Sequence, residues 1–193
     1  MGEGGRLAQS SATTGDGLRE ISQHFQFSTG GAVTVSYRLS PGDGTLAVDV
    51  LVDKARTSTP HAMYLPIPLN LQRNFKTHYE TAGAVVELDR EQLAGSNRHF
   101  VTTQCFLRLQ DESHAVTIAS PDLPLFQVGG FTFGRHDRGD VIRDRPVALA
   151  WLNNNYWDTN FEVTQSGPIR SRFNLFAHAA EPVSRSLERA LPY

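Results

Sequence analysis

The sequence predicts an all-β fold, an antiparallel β-supersandwich with at most one short helix near the C-terminus. Three observations carry that expectation. Apolar and polar residues alternate over short runs, turn-forming clusters separate those runs, and no helical pattern intervenes between them. A parallel α/β sheet would need crossover helices between its strands, and the sequence has none at those places.

Residues 1–20 are rich in Gly, Ser and Thr and lack periodicity, so they read as a flexible lead-in. A single sandwich domain is expected over 21–193. Val33, Val35, Tyr37 and Leu39 fall on one face of an alternating run from Ala32 to Leu39. Pro41-Gly42-Asp43-Gly44 supplies a turn, and Leu46–Val52 returns as the second strand of a hairpin. Further strands are expected at Ala62–Pro68, at Lys76–Glu80 paired with Ala84–Leu88 across Gly83, and at Phe100–Leu109. Four more follow, at His114–Ala119, Leu125–Val128, Val147–Leu152 and Ile169–His178. β-Branched and aromatic residues concentrate in these runs, as a half-buried pleated surface prefers. Asp111-Glu112-Ser113 reads as a tight turn. Only Glu181–Ala190 carries a helical stripe, formed by Val183, Leu187 and Ala190, with Pro182 suited to an early position.

A formal net charge of -2 over 193 residues gives no electrostatic reason for nucleic acid or an anionic membrane as partner. No apolar run is long enough to span a bilayer, and the first residues lack a signal-peptide core, so a cytoplasmic location is expected. Cys105 is the sole cysteine, which excludes an internal disulfide and a thiolate zinc site. Its strand-like surroundings point to a buried, inert thiol. The histidines are dispersed without ligand spacing, so no metal is expected on this chain. The Arg-Gly-Asp triplet at Arg138–Asp140 sits among charges of alternating sign and reads as a solvated loop.

The segment Trp151–Phe161 holds both tryptophans and four asparagines, Asn153, Asn154, Asn155 and Asn160. Aromatic faces stack on the C–H faces of sugars, while Asn, Gln and Asp hydrogen-bond their hydroxyls. The candidate sugar-binding residues are Asn154, Asn155, Tyr156, Trp157, Asp158, Asn160 and Gln165. The alternative is structural: the tryptophans anchor a core, and the amides satisfy backbone groups at an irregular turn. Asp122 and Asp158 are the best-placed carboxylates for glycoside hydrolysis, which needs two at a fixed separation. Each also has a local turn role, and no catalytic residue is assigned.

Trp151-Leu152-Asn153-Asn154-Asn155-Tyr156-Trp157-Asp158-Thr159-Asn160-Phe161, followed by Gln165–Phe173, resembles the carboxy-terminal part of glycoside hydrolase family 38, the α-mannosidases and their relatives. Ala115–Gly130, which ends in Pro121-Asp122-Leu123-Pro124-Leu125-Phe126-Gln127-Val128-Gly129-Gly130, and His61–Leu69 are similar to two upstream segments of that family, in the same order. Tyr64 and Ile67 depart from its usual phenylalanines, and the Phe131–Pro146 loop is peculiar to this chain. The resemblance implies a sandwich related in shape to galactose mutarotase. It also implies that the carboxylates and zinc of such a retaining enzyme lie in an amino-terminal α/β domain, which has no counterpart here. On that basis the chain is expected to be a fragment of a larger enzyme, or a separate polypeptide. Its expected partners are that catalytic domain, on the same or a neighbouring polypeptide, and carbohydrate, with a homo-oligomer possible. A free-standing carbohydrate-binding module is the alternative.

Overall fold

The computed structural model describes residues 4–15, 18–28, 30–42, 44–131, 143–155 and 164–191. The fold is all-β and antiparallel, with thirteen strands and one seven-residue helix among the described residues. The chain forms two compact units, Met1–Met63 with Asn153–Leu175, and Tyr64–Leu152 with Phe176–Tyr193.

In the first unit the strands are β1 (Arg6–Gly15), β2 (Leu18–Gln26), β3 (Ala32–Leu39), β4 (Thr45–Lys54) and the early part of β13 (Gly167–Ala179), in that spatial order. β3 and β4 pair from Ala32↔Asp53 to Leu39↔Leu46, which is the hairpin that the alternation and the Pro41–Gly44 turn predict. Its apolar face is buried at one end, where Val33 and Val35 are 6% and 2% exposed, and opens toward Leu39 at 38%. Within residues 1–20, Arg6–Gly15 form a strand and Leu18 begins the next. β1 pairs with β2 from Arg6↔Gln26 to Gly15↔Leu18, with one irregularity between Leu7 and Gln9. The reason it escapes a pattern search is physical. All ten β1 residues are exposed, so neither face imposes an apolar period.

The second unit holds two sheets, the two layers of an antiparallel sandwich. One runs from the last residues of β13 through β10 (His114–Ala119), β9 (Phe106–Gln110) and β6 (Lys76–Thr81) to β7 (Ala84–Glu87). The other is ordered β5 (Ala62–Pro68), β12 (Val147–Asn154), β11 (Leu125–Val128), β8 (Val101–Thr102). Phe126, Val128, Ala148, Ala150, Leu107, Leu109 and Ile118 are all at most 1% exposed and form the core. The helix α1 (Ser184–Ala190) lies on the outer side of the first sheet. Its Val183, Leu187 and Ala190 stripe packs with Phe106, Ala119 and Phe176, as the helical spacing predicts.

The run 100–109, expected as one strand, is two strands in different sheets. The Thr103 N–H donates to the Pro124 carbonyl of one layer, and the Gln104 N–H to the Glu80 carbonyl of the other. Polar Thr103-Gln104 is therefore where the chain changes layer. Cys105 follows at once, half-buried rather than fully buried. Its burial, with the hydrogen bond and charge of Glu80, pushes the thiol up and keeps it unreactive.

The turn at Asp111 has a consequence for stability. Its carboxylate accepts the N–H groups of Gln72 (2.9 Å), His114 (2.7 Å) and Ser113 (2.8 Å). These bonds, that of Gln72 foremost, hold the carboxyl below the ordinary Asp range. A depressed folded-state pKa gives stability that is complete above the unfolded value, near 4, and lost as pH falls through the folded one. Asp111→Asn should therefore be less stable than wild type at neutral pH, and the gap should close as pH falls below about 4. Urea titrations of both proteins at stepped pH measure this, and a gap that stays constant into acid would refute it.

Candidate functional site

The segment richest in amides and aromatics lies at the end of β12 and just beyond it. In the first unit, Asn155 leaves the strand and pins the residues before β5. Its N–H donates to the His61 carbonyl at 3.0 Å, and its Oδ1 accepts the His61 N–H at 2.8 Å. Its Nδ2 donates to the carbonyls of Thr57 and Thr59, both at 3.0 Å. Both amide hydrogens are thereby committed, and at 6% exposure the side chain is a buried brace. Asn155 fixes the course of residues 57–61 and has no donor left for a sugar.

Asn153, also buried, donates from Nδ2 to Gln165 Oε1 at 3.1 Å. Gln165 is exposed and Asn154 half-buried, so both are accessible to a ligand. The structure thus brings Gln165 beside the end of β12, a proximity that separation in sequence does not reveal. Tyr156, Trp157, Asp158 and Asn160 lie outside the described residues, as does the Arg138–Asp140 triplet. Asp122 is exposed at the turn before Leu123.

In the second unit, Trp151 is 8% exposed and serves as a core anchor. Tyr64 stacks on it with centroids 5.4 Å apart and planes at 19°, and Phe100 stacks at 5.0 Å and 28°. Phe131 meets Tyr64 edge-on at 5.2 Å and is 61% exposed, so the aromatic group reaches the surface there. Sequence reasoning missed Phe100 and Phe131 as members of this group, because only strand order brings them to Trp151 and Tyr64.

Gln127 was missed as well. On β11 it lies opposite Leu149 of β12, on the sheet face that carries Trp151 by alternation. It is 1% exposed, and neither amide atom has a partner among the described residues. The Tyr64 hydroxyl is likewise buried without a partner among them, and burial pushes its phenol up. Both groups are buried, so as the side chains stand neither is open to a ligand. Among the described residues, no group of three His, Cys, Asp or Glu side chains is placed to hold a metal ion.

No family model and no curated protein matches the sequence. Solved structures do match the fold. An α-mannosidase from Enterococcus faecalis V583 superposes with a TM-score of 0.67 at 10% identity, covering 95% of this chain and 23% of that one. A glycosyl hydrolase family 38 protein from Enterococcus faecalis gives 0.64 at 13% identity, covering 96% and 24%. A mutarotase-type protein from Salmonella typhimurium aligns over 90% of this chain and 65% of its own, with a TM-score of 0.48 and 9% identity. At such identities the likeness to the two Enterococcus proteins is one of fold. The chain has the architecture of a part of them, and spans about a quarter of their length.

Proposed function

We propose that the chain is the accessory β-sandwich of an α-mannosidase-like glycoside hydrolase of family 38, acting in carbohydrate metabolism. In this reading it buttresses a catalytic α/β domain, carried on the same or a neighbouring polypeptide, and completes one wall of that domain's sugar pocket. The observation that carries the proposal is the superposition of nearly the whole chain on about one quarter of an α-mannosidase. The order of the Ala115–Gly130 and Trp151–Phe173 segments supports it independently, because fold likeness at this identity does not require shared motifs.

The division of labour follows. Asn154 and Gln165, with Tyr156, Trp157, Asp158 and Asn160, are the residues offered to sugar, and Asn155 holds the neighbouring 57–61 segment in place. In this reading the zinc of such an enzyme belongs to the catalytic domain.

The test is isolation of the affinity-tagged chain from the cells that encode it. The expected result is a zinc-containing α/β domain, covalently continuous or co-purifying, with hydrolysis of an aryl α-mannoside by the assembly. Isolation of the chain alone, with glycan binding by titration calorimetry and no such partner, would overturn the proposal in favour of a free-standing carbohydrate-binding module.

A further inference from the structure

β1 is an unusual strand because it contributes nothing to a core. All ten of its residues, Arg6–Gly15, are exposed, yet it is held in an extended ladder with β2. Among the described residues β2 is its only strand neighbour, so its other edge presents a row of free backbone N–H and C=O groups. Natural edge strands are blunted by lysine, proline, an inward charge, a bulge or short length. β1 has one such device, the irregularity between Leu7 and Gln9 at its start. From Gln9 to Gly15 the strand is regular and holds no charged residue and no proline.

The sequence of that stretch says what the edge fits. Within it, Ser10-Ser11-Ala12-Thr13-Thr14 is symmetric in side-chain chemistry about Ala12. Two antiparallel strands related by a twofold axis place the central residue opposite its own copy. With Ala12 at that centre, Ser11 faces Thr13, Ser10 faces Thr14, and Gln9 faces Gly15. Each chain then contributes to four Ser–Thr cross-strand pairs, a type that stabilises antiparallel ladders. Arg6 falls beyond the paired stretch, so no like charges meet. A foreign extended peptide gains its specificity from side-chain pockets that flank the edge. The small residues of β1 build none, whereas self-pairing needs none.

We propose that β1 is a self-association edge, through which two copies of this chain pair antiparallel about Ala12. A seven-residue ladder buries less than a standard interface, so dissociation is expected on the order of micromolar. The proposal is independent of any carbohydrate activity.

Sedimentation velocity of the full chain across the micromolar range tests it, with a concentration-dependent dimer as the expected result. Ala12→Lys sets two ammonium groups opposite each other, and should weaken the dimer by about tenfold or more. Position 12 is exposed, so circular dichroism should show an unchanged fold. Ala12→Cys supplies a second readout. Directly opposed residues lie within disulfide reach, so mild oxidation should yield a cross-linked dimer that wild type, with Cys105 alone, does not form. A chain that remains monomeric throughout, whether or not some other segment occupies the edge, overturns the proposal. So does a dimer indifferent to Ala12→Lys, or one that Ala12→Cys fails to cross-link.

Discussion

Replacing Phe106 by Ala should destabilise the second unit by about 4 kcal/mol, the loss expected when a fully buried phenylalanine leaves a cavity. Phe106 is 0% exposed on β9, where it packs with Ala119, Phe176 and Ala190, while Val85, Cys105, Val183 and Leu187 border the same cluster. Ala119 and Ala190 are too small to fill the space, and Phe176 or Leu187 could enter it only by leaving its own packing, so the loss is expected near the middle of the range for a buried phenylalanine. α1 should respond first, because a seven-residue helix has little intrinsic stability and depends on the face it covers. Its polar tie, Ser186 Oγ to Thr117 Oγ1 at 3.1 Å, is a single neutral hydrogen bond and is too weak to hold it alone. Urea titration measures the loss, and hydrogen exchange should show α1 amides unprotected under native conditions. Leu93→Ala is the control. At 84% exposure it should change stability by less than about 0.5 kcal/mol. Equal effects of the two substitutions would mean that the Phe106 cluster is not a core.

How far the fold is legible in the sequence depends on whether a single face is buried. β3, β5, β10 and β11 have the ends that alternation and turn residues predict, because burial and turn chemistry agree at those places. β1 is illegible because both of its faces meet water, and the Phe100–Leu109 run misleads because its pattern hides a change of layer. Residues Thr103 and Gln104 are compatible with a strand, and only the carbonyls of Pro124 and Glu80, distant in sequence, divert them. The candidate site divides in the same way. An Asn-rich segment after β12 is visible as composition, but composition cannot say which amides are already committed. Asn155 is committed to residues 57–61, almost a hundred positions away in the chain. Gln127 shows the reverse. It reads as an ordinary strand residue until the register with Leu149 sets it inside the sheet, without a side-chain partner among the described residues.

The adjacent glycines after β11 should respond very differently to alanine. Gly129→Ala is expected to cost about 3 kcal/mol, combining backbone strain with a forced displacement. Gly129 has φ +88°, a region that L side chains rarely adopt, and a Cβ there would lie 2.7 Å from Arg143 Cα. Backbone at that distance cannot rotate away, so Arg143 must move, and Arg143 is itself committed. Its Nε and Nη2 hold the Asp89 carboxylate, with Nε to Oδ2 at 2.5 Å, and its Nη1 donates to the Val128 carbonyl at 2.6 Å. Nη2 also reaches the Arg98 carbonyl. Asp89 in turn has φ +71°, an uncommon conformation for a residue with a Cβ, and this bidentate pair helps to hold it there. Displacing Arg143 therefore loosens three chain segments together: the end of β11, the Asp89 turn, and the loop at Arg98. Gly130 has open space where its Cβ would be and no positive φ, so Gly130→Ala should stay within about 0.5 kcal/mol of wild type. Thermal and urea unfolding of the two variants side by side decides the point. If Gly129→Ala proves as mild as Gly130→Ala, the close approach of Arg143 is not what demands glycine. If Arg143→Met reproduces most of the Gly129→Ala loss and the double variant adds little to it, the two act as one unit, because residues that share a contact are not additive.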